Sequence, residues 1–174
     1  MNKDSIEGLR FFEGTSFNDS RGNFLRLFDS EWLSDLGFNT KQINISVNPK
    51  VGTLRGMHYQ IDGDPENKLM TLLQGNIFLA IVDLRKSSPT YLSLKSQNLS
   101  AEEGKSILIP AGCATGWLST SPDVQIHYVM SSRFENNSYG GFKYDEPTFK
   151  IPWPHLPHII SDQDNNWQPF QEGE

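Results

Sequence analysis

Short apolar runs and alternating apolar–polar runs recur between Gln42 and Met130, each bounded by turn-forming residues. They fall at Thr53-Leu54, Lys68 to Leu73, Ile77 to Leu84, Tyr91 to Leu94, Ser106 to Ile109 and Val124 to Met130. Gly75-Asn76, Ser88-Pro89, Pro110-Ala111-Gly112 and Ser121-Pro122-Asp123 supply the breaks. Such spacing predicts antiparallel strands. One segment reads as a helix, Ser30 to Gly37, with Ser30 as N-cap, Glu31 in the first turn, apolar Trp32, Leu33 and Leu36, and Gly37 as the stop. No internal repeat, low-complexity tract or linker interrupts residues 1–174, which read as a single domain. The expectation is an all-β fold with one short helix. A sheet protein of this size must cover its edges, so a barrel or double-sheet jelly roll is favoured, with its mouth as the natural ligand site.

Composition narrows the function. The 174 residues carry 15 basic and 21 acidic side chains, a net charge of −6, and one cysteine, Cys113. A single cysteine excludes an intramolecular disulfide framework and suits a reducing compartment, so the cytoplasm is expected. No apolar run is long enough to span a membrane, and the N-terminal residues lack the apolar centre of a signal peptide. Net acidity without a Lys/Arg cluster argues against nucleic acid as partner. It leaves room for a small anion, which needs only a few placed cations.

Candidate chemistry concentrates in Leu54-Arg55-Gly56-Met57-His58-Tyr59-Gln60. Strict alternation places Arg55 and His58 on opposite faces, but Gly56 is where a bulge could turn both inward. The plain alternative is a surface arginine and a hydrogen-bonded strand histidine. Lys68 shares a face with Met70 and Leu72, as a buried cation or as a strand-end lysine snorkelling to water. Tyr128 shares the inward face with Ile126 and Met130, as a general acid or as a core aromatic. His127, of opposite parity, is expected at the surface. Asp162 and Asp164 could orient an imidazole or serve a turn. None of the four histidines has metal-ligand spacing, so no metal is expected, and no Gly-rich phosphate loop or nucleophile elbow is present.

From about Phe11 to Asp164 the sequence resembles the dTDP-4-dehydrorhamnose 3,5-epimerase family. The likeness rests on Asp19-Ser20-Arg21-Gly22, Gln42-Ile43-Asn44, the Leu54 to Gln60 segment, Lys68-Leu69, Val82 to Thr90, Ile109-Pro110-Ala111-Gly112, Ile151-Pro152-Trp153-Pro154 and Ser161-Asp162-Gln163-Asp164. The resemblance implies a cupin-like double-stranded β-helix, or jelly roll, acting as a homodimer on a nucleotide-diphospho-4-keto-6-deoxy sugar without metal or other cofactor. It implies His58 as the base beside the ketone, Asp164 as its partner, Lys68 at the enolate oxygen and Tyr128 as the acid on the opposite face. It implies Arg21 and Arg55 near the diphosphate or sugar, Arg21 across a dimer interface, and Gln42 and Asn44 along the nucleotide and sugar.

The sequence departs from the family pattern in four places. Cys113-Ala114-Thr115-Gly116-Trp117 stands where the family usually reads Phe-Ala-His-Gly-Phe, which puts Thr115 near the sugar in place of a histidine. Leu79 replaces an acidic residue, and the paired loss avoids an unpartnered buried group. Arg26 stands where glutamate is usual, reversing a charge near the nucleotide, and Arg133-Phe134 replaces a Tyr-Tyr pair. An epimerase acting at C3, C5 or both is the leading expectation. A 3,4-ketoisomerase on the same scaffold and a non-catalytic nucleotide-sugar-binding cupin remain open.

Overall fold

A computed structural model describes residues 5–135 and 138–172. The strands are β1 (Arg10–Glu13), β2 (Thr15–Asp19), β3 (Gly22–Arg26), β4 (Gln42–Asn48), β5 (Leu54–Gln60), β6 (Lys68–Gln74), β7 (Asn76–Asp83), β8 (Leu94–Ser100), β9 (Lys105–Ile109), β10 (Cys113–Ser119), β11 (Val124–Met130) and β12 (Tyr139–Gly141). Two five-stranded sheets, ordered β1-β9-β6-β11-β4 and β12-β5-β10-β7-β8, face each other, and β2 pairs with β3 in a separate hairpin. Every strand pairing is antiparallel. From β4 onward the chain mostly alternates between the two sheets, which is the jelly roll expected from the sequence.

The sheets bury three apolar layers. Met70, Leu72, Ile77, Leu79, Ile81, Ile107, Ile109, Trp117 and Ile126 fill the space between them. Leu33, Leu69, Leu108 and Val129 pack with Phe12, Phe28, Trp32 and Phe38. Met57, Ala80, Val82, Ala114, Phe142 and Phe149 pack with C-terminal residues that include Ile151, Trp153 and Phe170. Central strands are therefore covered on both sides, and β7 from Ile77 to Asp83 is buried throughout.

Three expectations need correction. The Ser30–Leu36 segment is a 3-10 helix whose N-cap is Asp29, not Ser30, because the Asp29 carboxylate accepts from the Glu31 N–H; Gly37 ends it in the left-handed conformation. Tyr91 to Leu94 is not a strand of its own, and only its last residue, Leu94, is extended, as the start of β8: Leu92 has φ 60, and Leu92 and Leu94 are apolar because they pack on the Met57–Val82–Phe142 layer. His127 does lie opposite Tyr128, yet it is half-buried, its Nδ1 has no hydrogen-bond partner, and burial pushes its pKa down.

The Val82 to Thr90 motif is a structural clamp. The fully buried Asp83 carboxylate accepts from the Arg85 backbone and guanidinium, from Ser88 Oγ and from Thr90 Oγ1. Burial alone would raise its pKa, but these donors outweigh that and hold it at about 2, below the ordinary 3.8. A depressed carboxyl contributes stability above its unfolded pKa and loses it as pH falls through the folded one. Here the contribution is about 2 kcal/mol, present above about pH 4 and lost towards pH 2. Asp83→Ala, which leaves Arg85 without its carboxylate and, among the described residues, with only its bond to Glu7 O, should cost about 3 kcal/mol at neutral pH in denaturant unfolding. Its deficit relative to the parent protein should shrink as pH falls from 5 to about 2.5. A pH-independent deficit would reject the charge-based account.

Candidate active site

The pocket is built at a bulge. Thr115 pairs with His58 while Trp117 pairs with Arg55, so β5 holds one more residue than β10 over this stretch. The extra residue breaks the alternation and brings both Arg55 and His58 to one cavity, as Gly56 suggested. Gly56 has φ +123, and a Cβ there would lie 2.5 Å from Gly116 Cα and 2.7 Å from Thr115 O. The close approach of β5 and β10 therefore requires glycine.

The cavity, about 250 Å³, is lined by Asn44, Arg55, His58, Lys68, Thr115, Trp117, Tyr128, Phe134 and Tyr139 among others. His58 and Arg55 come from one sheet, whereas Lys68 and Tyr128 come from the facing sheet. A ligand held here is contacted from both sides. A larger cleft of about 660 Å³, beside Tyr59, Tyr91 and Phe170, contains none of His58, Lys68 or Tyr128.

Asp164, in the short helix α1 (Asp162–Asn165), is buried and meets His58 Nε2 at 2.6 Å through Oδ1. Ser161 caps that helix by accepting from Asp164 N, which distinguishes Asp164 from the exposed Asp162. Asp164 Oδ2 accepts from Gly56 N at 3.0 Å, and Oδ1 also accepts from Trp167 Nε1 at 3.3 Å. Burial works to raise its pKa, but His58, Gly56 and Trp167 outweigh it and hold the carboxyl below the ordinary range. An ionised Asp164 accepts only, so His58 carries a proton on Nε2, and in the neutral ring Nδ1 is the nitrogen that can accept.

On the facing sheet, Lys68 Nζ sits 3.0 Å from Oε1 of the buried Glu66 and 5.5 Å over the Tyr139 ring. Glu66 Oε2 accepts from Ser132 Oγ and from the Tyr139 hydroxyl. Tyr128 is half-buried in the cavity wall; desolvation pushes its pKa up to about 12, against pulls from Trp117 and Arg55. Its hydroxyl accepts from Trp117 Nε1 at 3.0 Å. Arg55 Nε donates to Asn48 Oδ1 at 3.0 Å. The Thr115 hydroxyl is buried and has no hydrogen-bond partner among the described residues.

The other candidates lie outside this cavity. Gln42 borders it indirectly, donating to Asn44 Oδ1 and accepting from Phe134 N. Arg26 pairs with Asp29, and Arg21, at the hairpin turn, pairs with Asp19 with its side chain 88% exposed. Sequence reading missed Glu66, Trp117, Phe134 and Tyr139. The Trp117 and Phe134 departures from the family pattern were the available signals for two of them; Glu66 and Tyr139 gave none.

The family model for dTDP-4-dehydrorhamnose 3,5-epimerase matches residues 3–172. The Sinorhizobium fredii dTDP-4-dehydrorhamnose 3,5-epimerase is 32% identical over 167 residues, spanning 93% of this chain and 85% of its own. The solved Bacillus anthracis enzyme of that name, with TDP and PPi bound, is 30% identical with a TM-score of 0.89, covering 98% of this chain and 97% of that one. A Legionella pneumophila dTDP-6-deoxy-D-glucose-3,5-epimerase in complex with dTDP-4-keto-L-rhamnose is 29% identical with a TM-score of 0.86, over 94% and 88% of the two chains. With sequence and fold both matched along nearly the whole length, the chain belongs to the dTDP-4-dehydrorhamnose 3,5-epimerase family.

Proposed function

We propose that the protein epimerises a nucleotide-diphospho-4-keto-6-deoxy sugar at a carbon next to the ketone. His58 Nδ1 takes the proton from that carbon, and Asp164 stabilises the resulting imidazolium through Nε2. Lys68 faces the developing enolate oxygen, where preorganised positive charge is worth several kcal/mol. Tyr128 donates its phenolic proton to the same carbon from the other side, inverting it, and both groups then re-equilibrate with solvent. Arg55 holds a diphosphate oxygen or the sugar, and Asn44 and Thr115 hydrogen-bond the sugar ring. The observation that carries this reading is the placement of His58, backed by Asp164 of α1, on one sheet and Lys68 with Tyr128 on the facing sheet, around one cavity.

The experiment is deuterium wash-in from heavy water into dTDP-, CDP- and GDP-linked 4-keto-6-deoxy sugars. Incorporation at C3 or C5 with inversion is expected. No incorporation into any of them would reject the epimerase reading, and a moved carbonyl in the product would favour ketoisomerisation.

A cytoplasmic homodimer completes the proposal. The lone buried Cys113 suits a reducing compartment, and among the described residues no helix is long and apolar enough to cross a membrane. Ile43, Ile45 and Val47 are 60%, 59% and 61% exposed on β4, a sheet edge, and Phe17 and Phe24 are exposed on the β2–β3 hairpin. Exposed apolar rows on a free strand edge call for a covering surface. Docking of the hairpin on a second copy's β4 would carry Arg21 towards the second copy's pocket. Ile43→Asp should convert the dimer to monomer in sedimentation and raise KM about tenfold through loss of a diphosphate contact. A parent protein that sediments as monomer would reject the dimer.

A further inference from the structure

Trp117 crosses the interior between the sheets. It stands on β10, is 3% exposed within the central core, and its indole N–H reaches Tyr128 on β11 at 3.0 Å. A phenol offers one donor and two acceptor sites, and an indole offers only a donor. Trp117 therefore fills an acceptor site of the Tyr128 oxygen and fixes where its hydrogen lies. Among the described residues no protein acceptor takes that hydrogen, and Tyr128 forms part of the cavity wall.

We propose that Trp117 is a positioning residue for proton donation: its N–H orients the Tyr128 hydroxyl towards the substrate and holds the phenolate left after transfer. The inference rests on the epimerase reading and deepens it. Donation breaks the Tyr128 O–H bond, forms the new C–H bond and leaves negative charge on a poorly solvated oxygen in the cavity wall. A hydrogen bond from Trp117 strengthens as that charge develops, so it favours the transition state over the bound substrate. The burial that pushes Tyr128 up makes this help matter most there. Phenylalanine, usual at this position in the family pattern, fills most of the same volume and supplies no donor.

Trp117→Phe separates the two halves of the reaction. Proton removal belongs to His58 on β5, so wash-in with retained configuration should stay within about twofold of the parent. Inverted product should fall about tenfold, the scale of one charge-assisted hydrogen bond. The high-pH limb of inversion should move upward, since the lost donor favoured the phenolate. Arg55 and His58 from β5, Lys68 from β6 and Tyr139 from β12 line the same cavity, and the substitution alters none of them. In a Tyr128→Phe background, Trp117→Phe should change residual exchange no further. Trp117→His, which keeps a ring N–H, should retain more inversion than Trp117→Phe, and Trp117→Leu, which also lacks a donor, takes the place of Trp117→Phe if the latter does not fold. Equal loss of exchange and inversion, or inversion at the parental rate, would overturn the proposal. A parent protein without exchange would overturn the epimerase reading and this inference with it.

Discussion

His58→Asn should lower both deuterium wash-in and epimerisation by about a thousandfold, within the range a positioned general base contributes. Asparagine keeps a polar group at about the Nδ1 position but does not extend to that of Nε2 and cannot accept a proton at neutral pH. The cations proposed to hold an anionic ligand, Arg55 and Lys68, are untouched, so binding measured by calorimetry should change by less than about threefold. Asp164 loses the donor it meets at 2.6 Å but keeps those from Gly56 and Trp167, so it stays ionised and the helix that carries it stays in place. Exchange within tenfold of the parent would place the base elsewhere. Weakened binding with unchanged turnover at saturation would make His58 a ligand contact.

Alternation made the inward faces of Lys68 and Tyr128 legible, because β6 and β11 keep regular pairing where these residues lie. It failed wherever both faces of a strand are covered. Cys113 to Ser119 is buried at every position, so β10 shows no period of two and carries Gly116 at its centre. It failed again at β2, exposed at every position, where no buried face writes a pattern. Arg55 and His58 were half legible: Gly56 marked a bulge, but the direction of both side chains depends on β10, far along the chain. Two aspartates at 162 and 164 were equivalent until Ser161 capped the helix and turned one of them to His58. Glu66 and Tyr139 lie 73 residues apart and meet only through the fold. The acidic net charge proved no guide to the cavity, where Arg55 and Lys68 face the ligand space.

Gly56→Ala should damage both fold and chemistry, because one backbone position serves both. An alanine Cβ would meet Gly116 Cα at 2.5 Å and Thr115 O at 2.7 Å, and neither backbone atom can rotate away as a side-chain tip could. The added strain at φ +123, where side-chain-bearing residues are rare, acts in the same direction. A loss of about 3 kcal/mol or more is expected in denaturant unfolding. Gly22→Ala at φ +133, with no atom within 4 Å of its Cβ, measures the backbone term without the clash. Activity should fall further than stability alone explains. If β5 and β10 separate to admit the methyl group, Arg55 and His58 shift and the Gly56 N–H leaves Asp164 Oδ2. A displacement of about 1 Å costs on the order of a hundredfold in an oriented reaction, so the folded fraction of the variant should show at least that deficit in wash-in. A stable Gly56→Ala protein exchanging at the parental rate would mean that the bulge can be repacked without moving His58. The geometry of β5, rather than the mere presence of an arginine and a histidine, would then have no part in setting up the site.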